Sequence, residues 1–395
     1  MILTSVDRYG WETIRAGHER RYLLLNIVPC ETKKQWRLFE NIPETLHEGN
    51  RYFLPPFPGS VSRLARRSHP FHNHGELFPF IAYRDGRPVG RIAAIINETH
   101  NKYHNDQTGF FGFFDFIDDG DVAAGLLQVT EDILTKRGRT LMRGPVNPTQ
   151  NDECGLLVEG FDSQPFVLMP YNPEYYPARY DELGLTKARD LYAYYIDDEL
   201  PTMARTERIV ERLKKKTNIT VRGISLKNLE KELEIIEYLF NTTLVREWSF
   251  MPTTKADLEF AARDLKAILD PSMVLIAEVH GKPVGFSLTI PNVNEFMNDA
   301  RRSKGLLRLL RLAWYVKTRR PRTARLAVLG VLPEFRSKGV APVFYFESLK
   351  RGVRNYIAGE LSWVQDINAE ANKTAEIMGV RRYKSYRIYE KTLES

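Results

Sequence analysis

The stretch that most restricts what this chain can fold into is Leu326–Ala341, LAVLGVLPEFRSKGVA. Leu326–Leu332 carries no charge, as a strand buried on both faces requires. Pro333 ends it, because proline cannot donate to a sheet ladder. The basic turn Arg336-Ser337-Lys338-Gly339 follows, and Pro342–Asn355 then has the pattern of an amphipathic helix. Strand, basic turn and helix leave the free N–H groups of the first helical turn pointing outward, where the helix dipole favours an anion. Gly339 lets a ligand approach the backbone closely. A diphosphate suits this chemistry. Leu329, Val331, Arg336, Ser337, Lys338, Gly339, Val340 and Ala341 are the residues placed to hold it.

Composition limits the partner without choosing it. The net charge of +7 fits an anionic ligand, whether a nucleotide, a nucleic acid or a phospholipid surface. At 395 residues the chain is long enough for two cores. Cys30 and Cys154, the two cysteines, make neither a disulfide framework nor a zinc set, which suits a reducing cytoplasm. The sequence opens without a secretory signal pattern, and no apolar run reaches the roughly eighteen residues of a spanning helix. His100 and His104 lie in Asn97–Gln107, a polar stretch that reads as loop. His69, His72 and His74 cluster in a Pro/Phe-rich loop. Both groups point to solvated or capping roles and away from metal binding.

The first half reads as a strand at Tyr22–Val28 and a helix from Thr32 to about Glu48, kinked or broken at Pro43. Arg51–Arg67 reads as loop. A β-hairpin follows, Phe78–Tyr83 and Pro88–Asn97 around an Asp-Gly turn. Then come a phenylalanine-rich strand at Gly109–Ile117, a helix at Asp121–Arg137 and a strand at Thr140–Arg143. Tyr180–Asp190 as a helix and Leu191–Ile196 as a strand close the half. Asp197–Thr202, acidic with a proline, is the predicted boundary. It divides the chain into domains 1–200 and 201–395.

The second half repeats the order. Helices are expected at Met203–Lys215, Leu229–Phe240 and Lys255–Leu269, with a strand at Ile219–Ile224 between the first two. A hairpin at Met273–Val279 and Pro283–Ile290 precedes the Leu326 strand. Leu361–Asp366, a helix at Glu370–Met378 and a strand near Tyr386–Glu390 complete it. The two halves share architecture and no close sequence identity.

Val331-x-Pro333-Glu334-x-Arg336-x-x-Gly339-x-Ala341 resembles the acyl-CoA pyrophosphate motif of the GNAT N-acetyltransferase superfamily. Asn368-x-x-Ala371 with Gly379-Val380 resembles that superfamily's distal N-x-x-A motif. Val89–Ala94, Gly109–Phe114 and Tyr171–Tyr176 resemble segments that recur in a family of bacterial GNAT-like proteins, some linked to ceramide synthesis. The resemblance implies an α/β fold of two tandem GNAT-like domains, each a mixed β-sheet flanked by helices. It implies an acyltransferase that moves an acyl group, acetyl or longer, from acyl-CoA or acetyl-CoA to an amine, without a metal. Asn368 joins the CoA-binding set.

Two departures from the pattern carry information. Asp118-Asp119-Gly120-Asp121 stands where the first half would need a basic loop, and carboxylates there repel a pyrophosphate. One CoA site, in the second half, is therefore expected. The family's tyrosine, the acid for the leaving thiolate, falls at Ala375. For the base, Glu360 and Asp366 at the ends of the strand next to Leu326–Leu332 are the nearest carboxylates. The acceptor site is expected from the polar segments of the first half: Asn147, Thr149, Asn151, Glu153, Tyr171, Asn172 and Tyr175. A non-catalytic CoA-binding or interaction module is the competing reading, and Ala375 favours it.

Pro291–Pro321 is long for the connection it makes. On a helix, Lys304, Arg308, Arg311, Tyr315 and Arg319 line one stripe, and Leu306, Leu307, Leu309, Leu310, Ala313, Trp314 and Val316 cover the rest. Two readings stand side by side. The helix lies on a membrane surface, with a lipid acceptor such as a sphingoid base, or it packs its apolar face on the domain and shows arginines to solvent. Nucleic-acid binding is not expected, because aromatic residues do not interleave with the arginines.

Overall fold

In the computed structural model, residues 25–197 and 203–394 are described, with side chains from 207 onward in the second segment. The first half runs β1 (Leu25–Pro29), α1 (Lys33–Leu46), β2 (Gly75–Arg84), β3 (Arg87–Asn97), α2 (Glu98–His104), β4 (Thr108–Phe116), α3 (Gly120–Lys136) and β5 (Leu141–Gly144). Three short strands follow, β6 (Val146–Asn147), β7 (Glu153–Cys154) and β8 (Leu156–Glu159), then α4 (Tyr176–Glu182) and β9 (Thr186–Asp197). The second half runs α5 (Met203–Thr217), β10 (Ile219–Gly223), α6 (Leu229–Thr243), α7 (Lys255–Leu265), β11 (Val274–Val279) and β12 (Lys282–Pro291). It continues with α8 (Asn294–Ala300), α9 (Gly305–Thr318), β13 (Thr323–Val331), α10 (Val340–Gly352), β14 (Ala358–Gln365), α11 (Ala369–Met378) and β15 (Arg381–Thr392). No helix among the described residues is long and apolar enough to cross a membrane.

One sheet runs through both halves, in the order β1-β2-β3-β4-β5-β15-β9-β14-β13-β12-β11-β10, with β8 also paired to β15. The two central strands are exchanged. β15, the last strand of the chain, pairs with β5 of the first half, and β9 of the first half pairs with β14 of the second. β9 and β15 pair antiparallel with each other at the seam. Each half thus takes its closing strand from the other, and division of the chain near 200 does not coincide with division in space. Residues 198–202 themselves lie outside the described residues, as do Tyr22–Leu24 of the first expected strand.

Most helices and strands fall where their periodicity puts them, and the departures have local causes. Asn97–Gln107 is not loop. Asn97 caps α2 by accepting from His100 N–H, and Asn105 ends it in the left-handed region at φ 52°. Tyr180–Asp190 is not one helix, because Gly184 at φ +73° stops α4. The alternating side chains that follow then enter β9, twelve residues long. Helix α1 passes through Pro43 unbroken, opened by a reciprocal cap between Thr32 and Gln35. Both cysteines are free and buried.

The histidines set aside as capping groups join the halves. His100 Nε2 lies 2.9 Å from Ser249 Oγ, and His104 Nε2 lies 2.7 Å from the Phe250 carbonyl. His74 faces Asp257 at 3.4 Å. The loop between α6 and α7 is thereby fixed against the first half.

Candidate active site

The site begins where two parallel strands part. β13 and β14 pair from Thr323↔Ala358 to Leu326↔Leu361 and no further. Beyond that point Ala327–Val331 and Ser362–Gln365 diverge and line a cavity of about 1070 Å³. The register between β12 and β13 shifts at the same place, skipping Ala327. Such a bulge turns the strand away from its neighbour. At the mouth of the wedge, Gly339 sits at φ +80° and starts α10. A Cβ there would lie 3.2 Å from Leu213 of α5, so both backbone conformation and space favour glycine.

The CoA-motif residues divide into two groups. Leu329, Val331, Arg336, Ala341 and Asn368 line the cavity. Ser337, Lys338 and Gly339 lie outside it, the first two exposed on the turn, and Val340 is buried in the core beneath. The Arg336 guanidinium donates to the carbonyls of Thr243, at 2.7 Å, and Val331, at 3.3 Å. Asn368 caps α11 by accepting from Ala371 N–H. Tyr345, one turn after Ala341 on α10, also lines the wall. Burial pushes its hydroxyl up to about 12, so it keeps its proton at neutral pH. Tyr345 stands on α10 and not in the distal motif, so the motif spacing does not point to it. Ala375, at the family's tyrosine position, is fully buried.

Neither carboxylate chosen as a base from the sequence lines the cavity. Glu360 lies behind the wall, accepting from the Ser362 and Tyr383 hydroxyls, with Arg325 at 3.6 Å. Burial raises its carboxyl against the pull of Arg325. Asp366 is bound to Arg189 at 3.2 Å and to the Asp190 N–H at 3.3 Å. Both are near the CoA-motif strand in sequence, but Glu360 lies in the paired part of β14 and Asp366 just past its end, each held by partners away from the cavity.

Glu247 does face the cavity, in the loop between α6 and α7. Burial raises its carboxyl, partly offset by Arg336. Asn368 Nδ2 lies 3.5 Å from Glu247 Oε1, which brings this carboxylate beside the CoA-motif residues. The neighbouring Trp248 is held by its N–H on Gln365, at 3.2 Å, with Arg143 over its ring at 4.6 Å. Its position could be sought in the sequence only through the aromatic cluster Trp248–Phe250 between two helices.

The first half contributes the opposite wall. Asn147, Thr149, Asn151, Glu153, Tyr171 and Asn172 line the cavity, whereas Tyr175 does not. Several of these also hold backbone. Asn172 spans Leu157, accepting from its N–H at 2.7 Å and donating to its carbonyl at 3.1 Å. Thr149 donates to Asp152 at 2.7 Å. The buried pair Arg91–Asp115, at 2.7 Å, lies on the same wall. Phe53, Leu54, Phe57, Val61 and Leu64, from the segment expected to be loop, line an apolar part of the cavity together with Leu265 of α7.

The corresponding wedge of the first half is filled by the chain itself. β4 and β5 pair only from Thr108↔Leu141 to Phe110↔Arg143. Where they part, β6 occupies the gap, and Phe113 N–H donates to Asn147 Oδ1 at 2.6 Å. Gly112 runs so close that a Cβ would lie 1.7 Å from the Val146 carbonyl oxygen. At the start of α3, Asp119 takes the N–H groups of Asp121 and Val122 and pairs with Arg84. An internal carboxylate thus stands where an anion would sit.

No family model matches the sequence. The chain is 32% identical over 378 residues to a Caulobacter vibrioides protein named bacterial ceramide synthase, covering 93% of this chain and 98% of that one. It is 30% identical over 367 residues to protein YghO of Escherichia coli, covering 91% and 94%. Among solved structures, a tandem GNAT protein from the clavulanic acid biosynthesis pathway aligns at TM-score 0.54 and 12% identity, over 94% of this chain and 99% of that one. A GCN5-related glucosamine N-acetyltransferase region of a fungal multi-domain β-N-acetylglucosaminidase aligns at TM-score 0.58 and 11% identity, over 94% and 38%. The chain has the fold of a tandem GNAT protein, and by its relationship along nearly its whole length to these two bacterial proteins it belongs to their family.

Proposed function

We propose that this protein is an acyltransferase that moves an acyl group from acyl-CoA to an amine, with a lipid-like amine such as a sphingoid base as acceptor. The parting of β13 and β14 into a cavity at the start of α10 carries this reading. A cavity of about 1070 Å³ is just above the usual range for small-molecule sites, roughly 300–1,000 Å³. That size, with the apolar part of the cavity, suits a long alkyl chain. The relative named bacterial ceramide synthase supports the same acceptor class, because a ceramide is an N-acylated sphingoid base.

The chemistry asks for three things. The amine must be neutral when it attacks the thioester, so a base must take its proton. Glu247 fills that role, directly or through a water. As the C–N bond forms and the C–S bond breaks, negative charge grows on the carbonyl oxygen. Backbone N–H groups of Leu329–Val331, released from pairing with β14, are placed for it. The departing thiolate needs a proton, and Tyr345 supplies it. Arg336 and the start of α10 hold the pyrophosphate. With its own wedge filled, the first half provides wall and no second CoA site.

Thiol release tests the reading, with acetyl-CoA and palmitoyl-CoA each offered against a panel of amines. Release is expected with the long-chain donor and a sphingoid base. Glu247→Gln should lower kcat by about 10²–10⁴-fold, the usual share of general base catalysis, with KM for the donor little changed. Because burial raises this carboxyl, the wild-type rate should fall as pH drops through the raised value and the base is protonated. A protein that binds CoA and releases thiol with no donor is instead the non-catalytic module favoured by Ala375.

A further inference from the structure

We infer that α9 docks this protein onto an anionic membrane surface through a leucine face that the fold turns outward. The helix is mounted opposite to what a packed amphipathic helix shows. Its buried residues include Arg308, at 4% exposure, with Leu312 and Tyr315. Arg308 is pinned by Glu44 of α1, with Nη1 at 2.9 Å, and by the Ser303 carbonyl at 2.8 Å. At about 100° per residue, Leu306, Leu310 and Trp314 then point to the far side. They are 71%, 58% and 54% exposed, and Leu307 beside them is 67% exposed. An exposed patch of this kind marks an interaction site.

Charge selects the partner. From Arg301 to Pro333 the sequence holds no aspartate or glutamate. Among the described residues, the ion pairs of 301–322 are Arg308–Glu44 and Arg319–Asp299. Among the described residues, Arg302, Lys304, Arg311, Lys317, Arg320 and Arg322 have no carboxylate within salt-bridge reach. Leucines and a tryptophan within a rim of unneutralised cations match an acyl–headgroup boundary with anionic lipid.

The inner side of the same helix connects to the site. Leu312 and Tyr315 share one apolar cluster with Phe57, Leu265 and Ile290, which line the apolar part of the cavity. Docking on α9 therefore brings the apolar part of the cavity next to the bilayer. The docking stands on the exposed face alone, while its use for delivering a lipid acceptor rests on the acyl-transfer reading.

The experiment is co-sedimentation of the full chain with phosphatidylcholine vesicles, with and without phosphatidylglycerol. Binding is expected to the anionic vesicles and to weaken with salt. Leu306→Asp with Leu310→Asp should lower the bound fraction about tenfold or more, as two leucines leave the interface and two carboxylates enter it. Arg311→Glu with Lys317→Glu should remove the preference for anionic lipid. All four positions lie off the buried face, so the thermal midpoint should stay at the wild-type value. Arg308 is left alone because its loss would unpin the helix. Equal sedimentation of the aspartate variant and the wild type overturns the proposal. So does a wild type that self-associates through this face, dispersed by the aspartates, without binding vesicles. Vesicle binding without thiol release defeats the catalytic reading and leaves the docking intact.

Discussion

Buried charge shows at the scale of single residues how this cavity is held. Asp115 and Arg91 lie on its wall in a water-poor setting. Burial alone would raise the Asp115 carboxyl, but Arg91 at 2.7 Å, helped by His47, outweighs it and brings the group down to about 2. A carboxyl held below its ordinary value of about 4 stabilises the fold above that pH and loses the effect as pH falls toward its folded value. Replacing Arg91 by Met strands the carboxylate, which costs about 3–5 kcal/mol at neutral pH by analogy with other broken buried pairs. Denaturant midpoints measured from pH 2 to 7 should rise steeply between about 2 and 4 in the wild type and far less in Arg91→Met. Equal slopes would mean that the pair contributes nothing to the wall. Little of this was legible in the sequence. Arg91 and Asp115 are 24 positions apart in different strands, and only strand pairing brings them together. The turn from β13 through Gly339 into α10 was legible because one local sequence carries strand, glycine and helix start. Glu247 and Tyr345 were not, since their value lies in facing a cavity that distant segments enclose.

Among the elements, β6 decides which of the two wedges stays open. β4 and β13 hold equivalent places, and both part from their parallel partners after a few residues. Only the first has a strand folded back into the gap. The acidic Asp118–Asp121 loop announced the difference electrostatically, and the structure adds a steric reason that no charge pattern shows. Gly112→Ala tests the plug. Its methyl group would collide with the Val146 carbonyl, so β6 or β4 must shift. Overpacking of this kind costs about 1–3 kcal/mol, which should appear as a lower thermal midpoint with CoA affinity unchanged. A loss of CoA affinity matching the loss of stability would place the ligand in the first half after all. α9 teaches a related lesson about legibility. Of the expected stripe, Lys304 and Arg319 lie just outside α9, Arg311 is exposed, and Arg308 and Tyr315 are buried with Leu312, because periodicity says which residues share a face and not which face meets the protein. Glu44, about 260 residues away, settles that by drawing Arg308 inward.

The exchange of β9 and β15 binds the whole molecule into one unit. Element order in each half was readable from alternation and turn signals, because every strand keeps its own pattern wherever it pairs. Partner choice was not, since a strand of given alternation satisfies either sheet. The seam is anchored by more than backbone pairing. Arg387 donates to Asp190 at 2.8 Å, Arg143 to Glu390 at 3.0 Å, and Tyr383 to Glu360. Tyr386, Ile388 and Tyr389 are buried there, and Lys384 places its ammonium on the Gly160 and Ser163 carbonyls. Burial lowers that lysine to about 8, so as pH rises through that value it loses its charge and one of the N–H donors that face those carbonyls. Removing residues 380–395 should therefore unfold both halves, and not only the second. The deletion leaves open edges on β5 and β9, takes Arg387 from Asp190 and Tyr383 from Glu360, and strands Arg143 by removing Glu390. The full chain should melt in a single calorimetric transition, whose van't Hoff and calorimetric enthalpies agree, even though it contains two GNAT-like halves. Two resolved transitions, or a truncated chain whose first half keeps native amide protection, would show that the exchanged strands are ornaments on independent domains. The single transition is expected because no cut of the chain separates the halves without breaking the two central strands of their common sheet.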